Sequence, residues 1–261
     1  MDRSLPLTGE IRLMQATANG LLLLFGLMAL AAGLTWASRH PAFAIRGITV
    51  TGEVTHNNAL TLRANVAPRL SGTFFTLDLQ RARQAFEAVP WVRQAVVRRD
   101  FPNRLRVTLQ EHRAVAYWGA EGESRLVNSY GEVFEANVGE VEQDLLPRLQ
   151  GPDGESAAVW AAYQALAPEF ARLDFELQEL ALSGRGGWRA TLDNGAVVEL
   201  GSGTLPELQQ RLDRFLKTLT PVSARYGRRP QALETADLRH RDGYALRLRG
   251  VSTVVQDGPK K

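Results

Sequence analysis

The sequence predicts an α+β protein built from a membrane-crossing N-terminal helix, a compact β-α-α-β-β unit and a mostly antiparallel β-domain with two helices. Three observations predict it. Residues 20–37, GLLLLFGLMALAAGLTWA, carry no charged side chain; at ~1.5 Å per residue the run gives about 27 Å of helix, close to the hydrocarbon thickness of a bilayer. Between residues 43 and 112 the hydrophobic period switches in the order strand, helix, helix, strand, strand. After Ala114, alternating strand-like runs separated by turn residues dominate, and two helical stretches interrupt them.

The apolar run exceeds the roughly 7–15 residues of a signal-peptide core. Pro41 and the charged-type residues around it separate the run from Ala42-Phe43-Ala44, which mimics a cleavage site, so an uncleaved anchor is expected. Gly26, Gly33 and the lack of a polar face argue against a buried soluble helix. Orientation stays open, because Arg3 and Arg12 precede the span while Arg39 and Arg46 follow it.

After the anchor, FAIRGITVTG (43–52) reads as a strand with Ile45, Ile48 and Val50 among polar positions, closed by glycine. In THNNALTLRANVAPRL the residues Leu62, Val66 and Leu70 form one helical stripe, which Pro68 disturbs. Asp78 is a cap for a second helix with Leu79, Ala82, Phe86 and Val89 on one side, ended by Pro90. VRQAVVRR and RLRVTLQEH are strands joined at Pro102 and Asn103. Trp91 reads as a core anchor.

In the remainder, Tyr130-Gly131 and Asn194-Gly195 are hairpin turns. Trp188, Ala190 and Leu192 alternate inward, and Ala196, Val198 and Leu200 return on the same face. Residues 157–170 form the weaker helix. The stronger one starts at Thr204, with Pro206 in its first turn and Glu207 completing a capping box. Leu205, Leu208, Leu212, Phe215, Leu216 and Leu219 give it a core-facing stripe, leaving Arg211, Arg214 and Lys217 outside.

The chain has 261 residues, a net charge of +3 and no cysteine. Disulfides, thiolate metal sites and cysteine nucleophiles are therefore excluded. Charge is segmental. Residues 39–113 hold twelve basic and five acidic side chains, 121–179 hold three and thirteen, and 185–261 hold fourteen and eight. This pattern indicates modules, and no segment combines arginines with stacking aromatics as a nucleic-acid stripe would. No metalloprotease, serine-hydrolase or phosphate-loop motif occurs. Gly201-Ser202-Gly203 precedes a helix, but it lacks the lysine of a phosphate loop and Glu207 opposes an anion, so it reads as linker and cap. His40, His56, His112 and His240 share no ligand spacing. Glu140, Glu142 and Asp144 lack the glycine and the bidentate glutamate of a calcium loop and read as a solvated acidic stretch. No catalytic, cofactor or metal site is expected.

The stretch ADLRHRDGYALRLRG (236–250) poses the main question. Two strands about an Asp242-Gly243 turn would put Ala236, Leu238, Tyr244, Leu246 and Leu248 on one face. Asp237, Arg239, Arg241, Ala245, Arg247 and Arg249 would take the other. Charge on an edge strand defends against unwanted pairing, and the same edge can also accept an incoming strand, with the arginines selecting an acidic partner.

Several motifs carry a resemblance. Pro90-Trp91-Val92, the turn from Arg98 to Pro102 and the exit from Glu111 to Trp118 resemble the end of a POTRA domain of the FtsQ/DivIB family of bacterial division proteins. LDNGAVVELG (192–201), the helix with Leu208, Leu212 and Phe215, and DLRHRDGYALRL (237–248) follow in that family's order. His240 and Leu248 depart from it, standing where relatives carry tyrosine-type and tryptophan-type residues. The resemblance implies a cytoplasmic tail (1–19), a transmembrane helix (20–38) in the bacterial inner membrane, a periplasmic POTRA domain (43–112), a β-domain (113–250) and a tail (251–261), placed at the division site.

It also implies a non-enzymatic scaffold that binds the FtsB/FtsL pair and links early and late division proteins, with lipid contact through the anchor and neither nucleic acid nor a small-molecule substrate. Arg239, His240, Gly243, Tyr244, Ala245, Leu246, Arg247, Leu248 and Arg249 are the expected partner-binding residues, and the POTRA unit is expected to meet other membrane-associated partners. The rival readings are an anchored cell-wall enzyme and a POTRA-containing chaperone or transport component of the envelope.

Overall fold

The computed structural model describes residues 9–52, 54–141, 146–240 and 243–251. Glu142 and Asp144 of the acidic stretch, Arg241 and Asp242 of the last hairpin, residues 1–8 of the N-terminal tail and the tail beyond Val251 lie outside the described residues, while residues 9–19 of that expected tail belong to the first helix. The chain divides into two units, Met1–Glu111 and His112–Lys261, and the fold is α+β.

The first unit opens with helix α1 (Gly9–Ser38). Its segment Leu13–Ser38 is long and apolar enough to cross a membrane, and no side chain in its most apolar stretch is buried in protein. A strand β1 (Gly47–Gly52), helices α2 (Ala59–Val66) and α3 (Leu79–Glu87), and strands β2 (Val92–Asp100) and β3 (Arg104–Glu111) follow. The three strands make one sheet in the order β1-β3-β2, with β1 parallel and β2 antiparallel to β3. A parallel neighbour requires a long crossover, which α2 and α3 supply. Asn58 caps α2 by accepting from the Thr61 amide at 2.8 Å. Asp78 caps α3 by accepting from the amides of Gln80 and Arg81 at 2.9 and 3.2 Å. Both helices turn the predicted stripes inward: Leu62, Val66, Ala82 and Phe86 meet Leu105, Val107 and Leu109 in one core.

Glu111 closes this unit. Its side chain is almost wholly buried and accepts from the backbone amides of Thr55, His56 and Asn57 at 2.8, 2.9 and 3.0 Å, and from the Asn57 side chain at 3.0 Å. His56 in turn stacks on Trp91, ring centroids 3.8 Å apart. Trp91 is buried and holds a left-handed backbone, φ +70°, so the predicted anchor is in the core at some backbone cost. Burial pushes the Glu111 carboxyl up, but the hydrogen bonds from His56, Thr55 and Asn57 outweigh it, and its pKa is lowered on balance.

Among the described residues the second unit is a nine-stranded sheet with two α-helices. Its elements are β4 (Ala114–Trp118), β5 (Arg125–Asn128), β6 (Val133–Glu135), β7 (Arg148–Gln150), α4 (Ser156–Ala171), β8 (Leu177–Leu182), β9 (Gly187–Leu192), β10 (Val197–Ser202), α5 (Leu205–Arg225), β11 (Leu233–Asp237) and β12 (Ala245–Leu248). The spatial order is β12-β11-β10-β9-β8-β7-β4-β5-β6. Most neighbours are antiparallel, but β4–β7, β7–β8 and β10–β11 are parallel. The helices sit where this demands them: α4 carries the chain from β7 to β8, and α5 from β10 to β11.

The register aligns one apolar row across seven strands: Trp118, Leu149, Leu180, Ala190, Val198, Ala236 and Leu246. Val159, Ala162, Leu166 and Phe170 of α4 join Leu208, Leu212, Phe215, Leu216 and Leu219 of α5 in the same core. Neighbouring positions form polar rows, including Arg148, Glu179 and Thr191 in one and Arg189, Glu199 and Asp237 in another.

Glu111→Gln is expected to lower the stability of the first unit by about 1–3 kcal/mol and to reduce hydrogen-exchange protection at the Thr55, His56 and Asn57 amides. Because the Glu111 pKa is lowered on folding, its contribution is present above the ordinary carboxylate pKa and is lost as pH falls through the folded value. Thermal denaturation below about pH 4.5 is therefore expected to show a shallower acid loss for Glu111→Gln than for the parent chain.

Candidate partner-docking edge

The last hairpin is built as its alternation predicts. β11 pairs with β10 on one side and β12 on the other, and among the described residues no strand pairs with the outer side of β12. An outermost strand presents backbone N–H and C=O groups that an added strand can take up.

The inward face is anchored in the core. Ala236, Leu238 and Leu248 are buried, and Tyr244 and Leu246 pack half-buried against them. Tyr244 is held by α5: its hydroxyl lies 2.7 Å from the Thr218 hydroxyl, and its ring meets Phe215 edge-on at 5.0 Å. Leu248 is fully inside, so its share in any docking would come through its backbone.

The opposite face carries the predicted charge, and every described arginine on it already has an internal partner. Arg239 grips Asp237 through two parallel bonds, Nε to Oδ1 at 2.9 Å and Nη2 to Oδ2 at 2.6 Å. That guanidinium, against a smaller opposing effect of burial, draws the Asp237 carboxyl down to about 2. Arg247 pairs with Glu234 at 3.1 Å, and Arg249 donates to the backbone carbonyl of Asn194. The row is thus not a line of unpaired cations. The heads of Arg239 and Arg247 nevertheless remain mostly in solvent, with side chains 62% and 70% exposed. Each guanidinium has five N–H donors, so its internal bonds leave donors for a further acceptor. His240, Gly243 and Ala245 are exposed beside them.

The site therefore brings together Ala245, Leu246 and Arg247 on β12 and Tyr244 just before it, with Arg239 and His240 just past the neighbouring end of β11. The supporting partners were missed in the sequence: Glu234 and Asp237 as counter-ions, and Phe215 and Thr218 as the brace for Tyr244. A signal existed for the first pair, since Glu234 lies on the strand facing Arg247 and Asp237 stands two residues before Arg239 on the same face. None existed for the brace, which only the packing of α5 creates.

The Gly-Ser-Gly loop and His112, set aside as sites in the sequence, have structural partners. Gly201 adopts φ +79°, and a Cβ there would come within 2.9 Å of the Arg211 guanidinium and 3.1 Å of Arg239. Arg211 donates to the carbonyls of Leu200 and Ser202, while Glu207 accepts from the Thr204 amide at 2.7 Å. The Gly-Ser-Gly loop is thus filled by the chain's own groups. Among the described residues no group of three or more His, Asp or Glu side chains is placed to hold a metal ion. His112 stacks on Phe134 at 4.1 Å and lies 2.9 Å from Asn128, a buried hub that also bonds Glu132 and accepts from the Tyr130 amide.

Comparison with known proteins adds an independent line. The FtsQ-type POTRA domain profile matches residues 43–112, and the profile described as "Cell division protein FtsQ/DivIB, C-terminal" matches 116–239. A protein named Cell division protein FtsQ from Burkholderia pseudomallei is 42% identical over 246 residues, covering 93% of this chain and 94% of the relative. Proteins of the same name from Bordetella pertussis and Thiomonas arsenitoxydans are each 38% identical, over 92% and 95% of this chain and 92% and 90% of their own lengths.

Tyr244→Phe removes only the phenol bond and is expected to cost about 1 kcal/mol. Tyr244→Ala also strips the ring from Phe215 and is expected to cost about 2–3 kcal/mol, both read from denaturation of the full chain. An NMR titration of the Asp237 carboxyl is expected to show a midpoint of about 2. The stability it contributes is complete above its unfolded pKa and is lost as pH falls through that midpoint; Asp237→Asn abolishes this dependence.

Proposed function

The chain belongs to the FtsQ/DivIB family of cell division proteins, and from that premise we propose that it is a non-enzymatic scaffold of the divisome. It is held in the bacterial inner membrane by α1, with its N-terminus cytoplasmic and both folded units periplasmic at the division site. There it binds the FtsB/FtsL pair through its β-domain and links early to late division proteins, while the POTRA unit meets other membrane proteins.

The observation that carries this reading is the edge position of β12, braced from behind by α5. Docking on such an edge works by backbone pairing, with side chains choosing the partner. Tyr244 and Leu246 offer an apolar shoulder already fixed in place, which lowers the ordering cost of association. Arg239 and Arg247, tethered by Asp237 and Glu234, are pre-oriented donors for an acidic segment and favour fast encounter and correct register over raw affinity. The same tethering offsets part of their charge, so the edge selects an acidic partner by geometry as well as by field.

Binding of a cognate FtsB periplasmic segment to the full chain in detergent micelles tests the reading. Tyr244→Ala and Arg247→Glu are each expected to weaken binding by roughly tenfold or more while circular dichroism stays native, and Tyr244→Phe to weaken it far less. Unchanged affinity in both disruptive variants would move the partner site away from β12.

A further inference from the structure

Within the first unit a cluster of aromatic rings gathers where α1 ends. Phe43 lies in the short helical turn Pro41–Phe43 just after α1. Phe74 and Phe75 come from the segment between α2 and α3, and Phe101 from the turn between β2 and β3. Their rings contact in sequence: Phe43 to Phe75 at 4.9 Å, Phe75 to Phe74 at 5.2 Å, and Phe74 to Phe101 at 6.2 Å. Phe74 is buried, but Phe75 is 50% and Phe101 80% exposed. Two phenylalanines held outward on neighbouring loops are not the usual composition of a water-facing turn.

Their position is tied to the apolar helix. The Thr73 hydroxyl donates to the carbonyl of Ser38, the last residue of α1, at 2.6 Å. The Phe74 amide donates to Phe43 at 2.8 Å, and the Arg46 amide to Asn103 at 2.9 Å. Arg99 stiffens the loop by donating to the carbonyls of Phe74 and Leu77 at 2.6 and 2.7 Å. The rings are therefore tied to the point where the apolar surface of α1 stops, and α1 itself carries the exposed Trp36 in its last turns. Arg39, Arg46 and Arg104, all exposed, belong to the same end of the unit.

Apolar aromatic rings flanked by arginines at the end of a span are the composition that settles at a membrane–water interface, with rings at the headgroup/acyl boundary and guanidinium groups at phosphate level. We propose that Phe75 and Phe101, held out by Phe74 and Arg99, dip into the lipid interface and give the POTRA unit a second membrane contact beside α1. The partner is the lipid surface itself, because the patch continues the apolar surface of the helix. A tip fixed in this way sets the height and tilt of the unit above the bilayer. The inference rests on the reading of α1 as the membrane span.

The chain has no cysteine, so single labels can be placed cleanly. The full chain is reconstituted into vesicles of phosphatidylethanolamine and phosphatidylglycerol containing lipids with a quencher near the headgroup for the labels on the folded unit, and midway along the acyl chain for the label on the helix, which lies near the bilayer centre. An environment-sensitive fluorophore is attached in separate variants at Leu27→Cys in the helix, Asn103→Cys beside Phe101, and Thr108→Cys about 17 Å further along β3. Quenching at position 27 and roughly threefold more quenching at 103 than at 108 are expected. Adding Phe75→Ser and Phe101→Ser is expected to return position 103 to the level of 108, with circular dichroism unchanged because both rings are exposed. Quenching at 27 with no difference between 103 and 108 would overturn the interfacial tip alone. A difference that survives the double serine change would overturn the role of the rings. An unquenched position 27 would overturn the span reading and this inference with it.

Discussion

The second unit depends on one constraint, the register that keeps an apolar row continuous across seven strands. Trp118, Leu149, Leu180, Ala190, Val198, Ala236 and Leu246 face one another in that order, and α4 and α5 complete the core they form. A slip of one residue in a strand would turn its apolar member to water and its neighbour into the core, a charged one at Arg148, Arg189 or Asp237. The bulges at Leu177/Glu179, Glu199/Gly201 and Leu233/Thr235 leave this row intact. Everything at the hairpin follows from it. With Ala236 and Leu246 fixed inward, Asp237, Ala245 and Arg247 have only the opposite face available.

The first unit solves a different problem with a charge. The loop ahead of α2 brings three backbone amides together without a ladder to satisfy them, and the Glu111 carboxylate takes all three. Removing it would strand donors in a site closed by His56 and Trp91. The same residue ends β3 and the unit, so the last strand is pinned to the start of the helical layer. At its other end the unit carries the aromatic tip beside α1.

Pairing within the chain changes how the arginine-rich edge should be understood. Unpaired arginines would give a diffuse positive field and a costly loss of side-chain freedom on binding. Asp237 and Glu234 restrict those side chains beforehand while leaving them largely in solvent. Under the proposed docking, the edge combines protection against indiscriminate pairing with a prepared surface for a chosen strand. These two readings of the sequence are less opposed in the structure than they look in one dimension, since both need charge in fixed positions on an outermost strand.

Local pattern by itself determined much of this. The uncharged run of α1, the stripes of α2, α3 and α5, the capping residues Asp78 and Thr204, and the inward alternation of Trp188, Ala190 and Leu192 were legible because each depends on neighbours within about one to four positions. The inward and outward faces of the last hairpin were legible for the same reason. Only the tertiary structure decided the parallel neighbours β4–β7, β7–β8 and β10–β11, the brace of Thr218 and Phe215 behind Tyr244, the amide cradle of Glu111 and the gathering of Phe43, Phe74, Phe75 and Phe101. Each of these joins residues about twenty or more positions apart, and no period in a sequence records which distant segments will meet. Periodicity tells a side chain which face to take; long-range packing decides what it finds there.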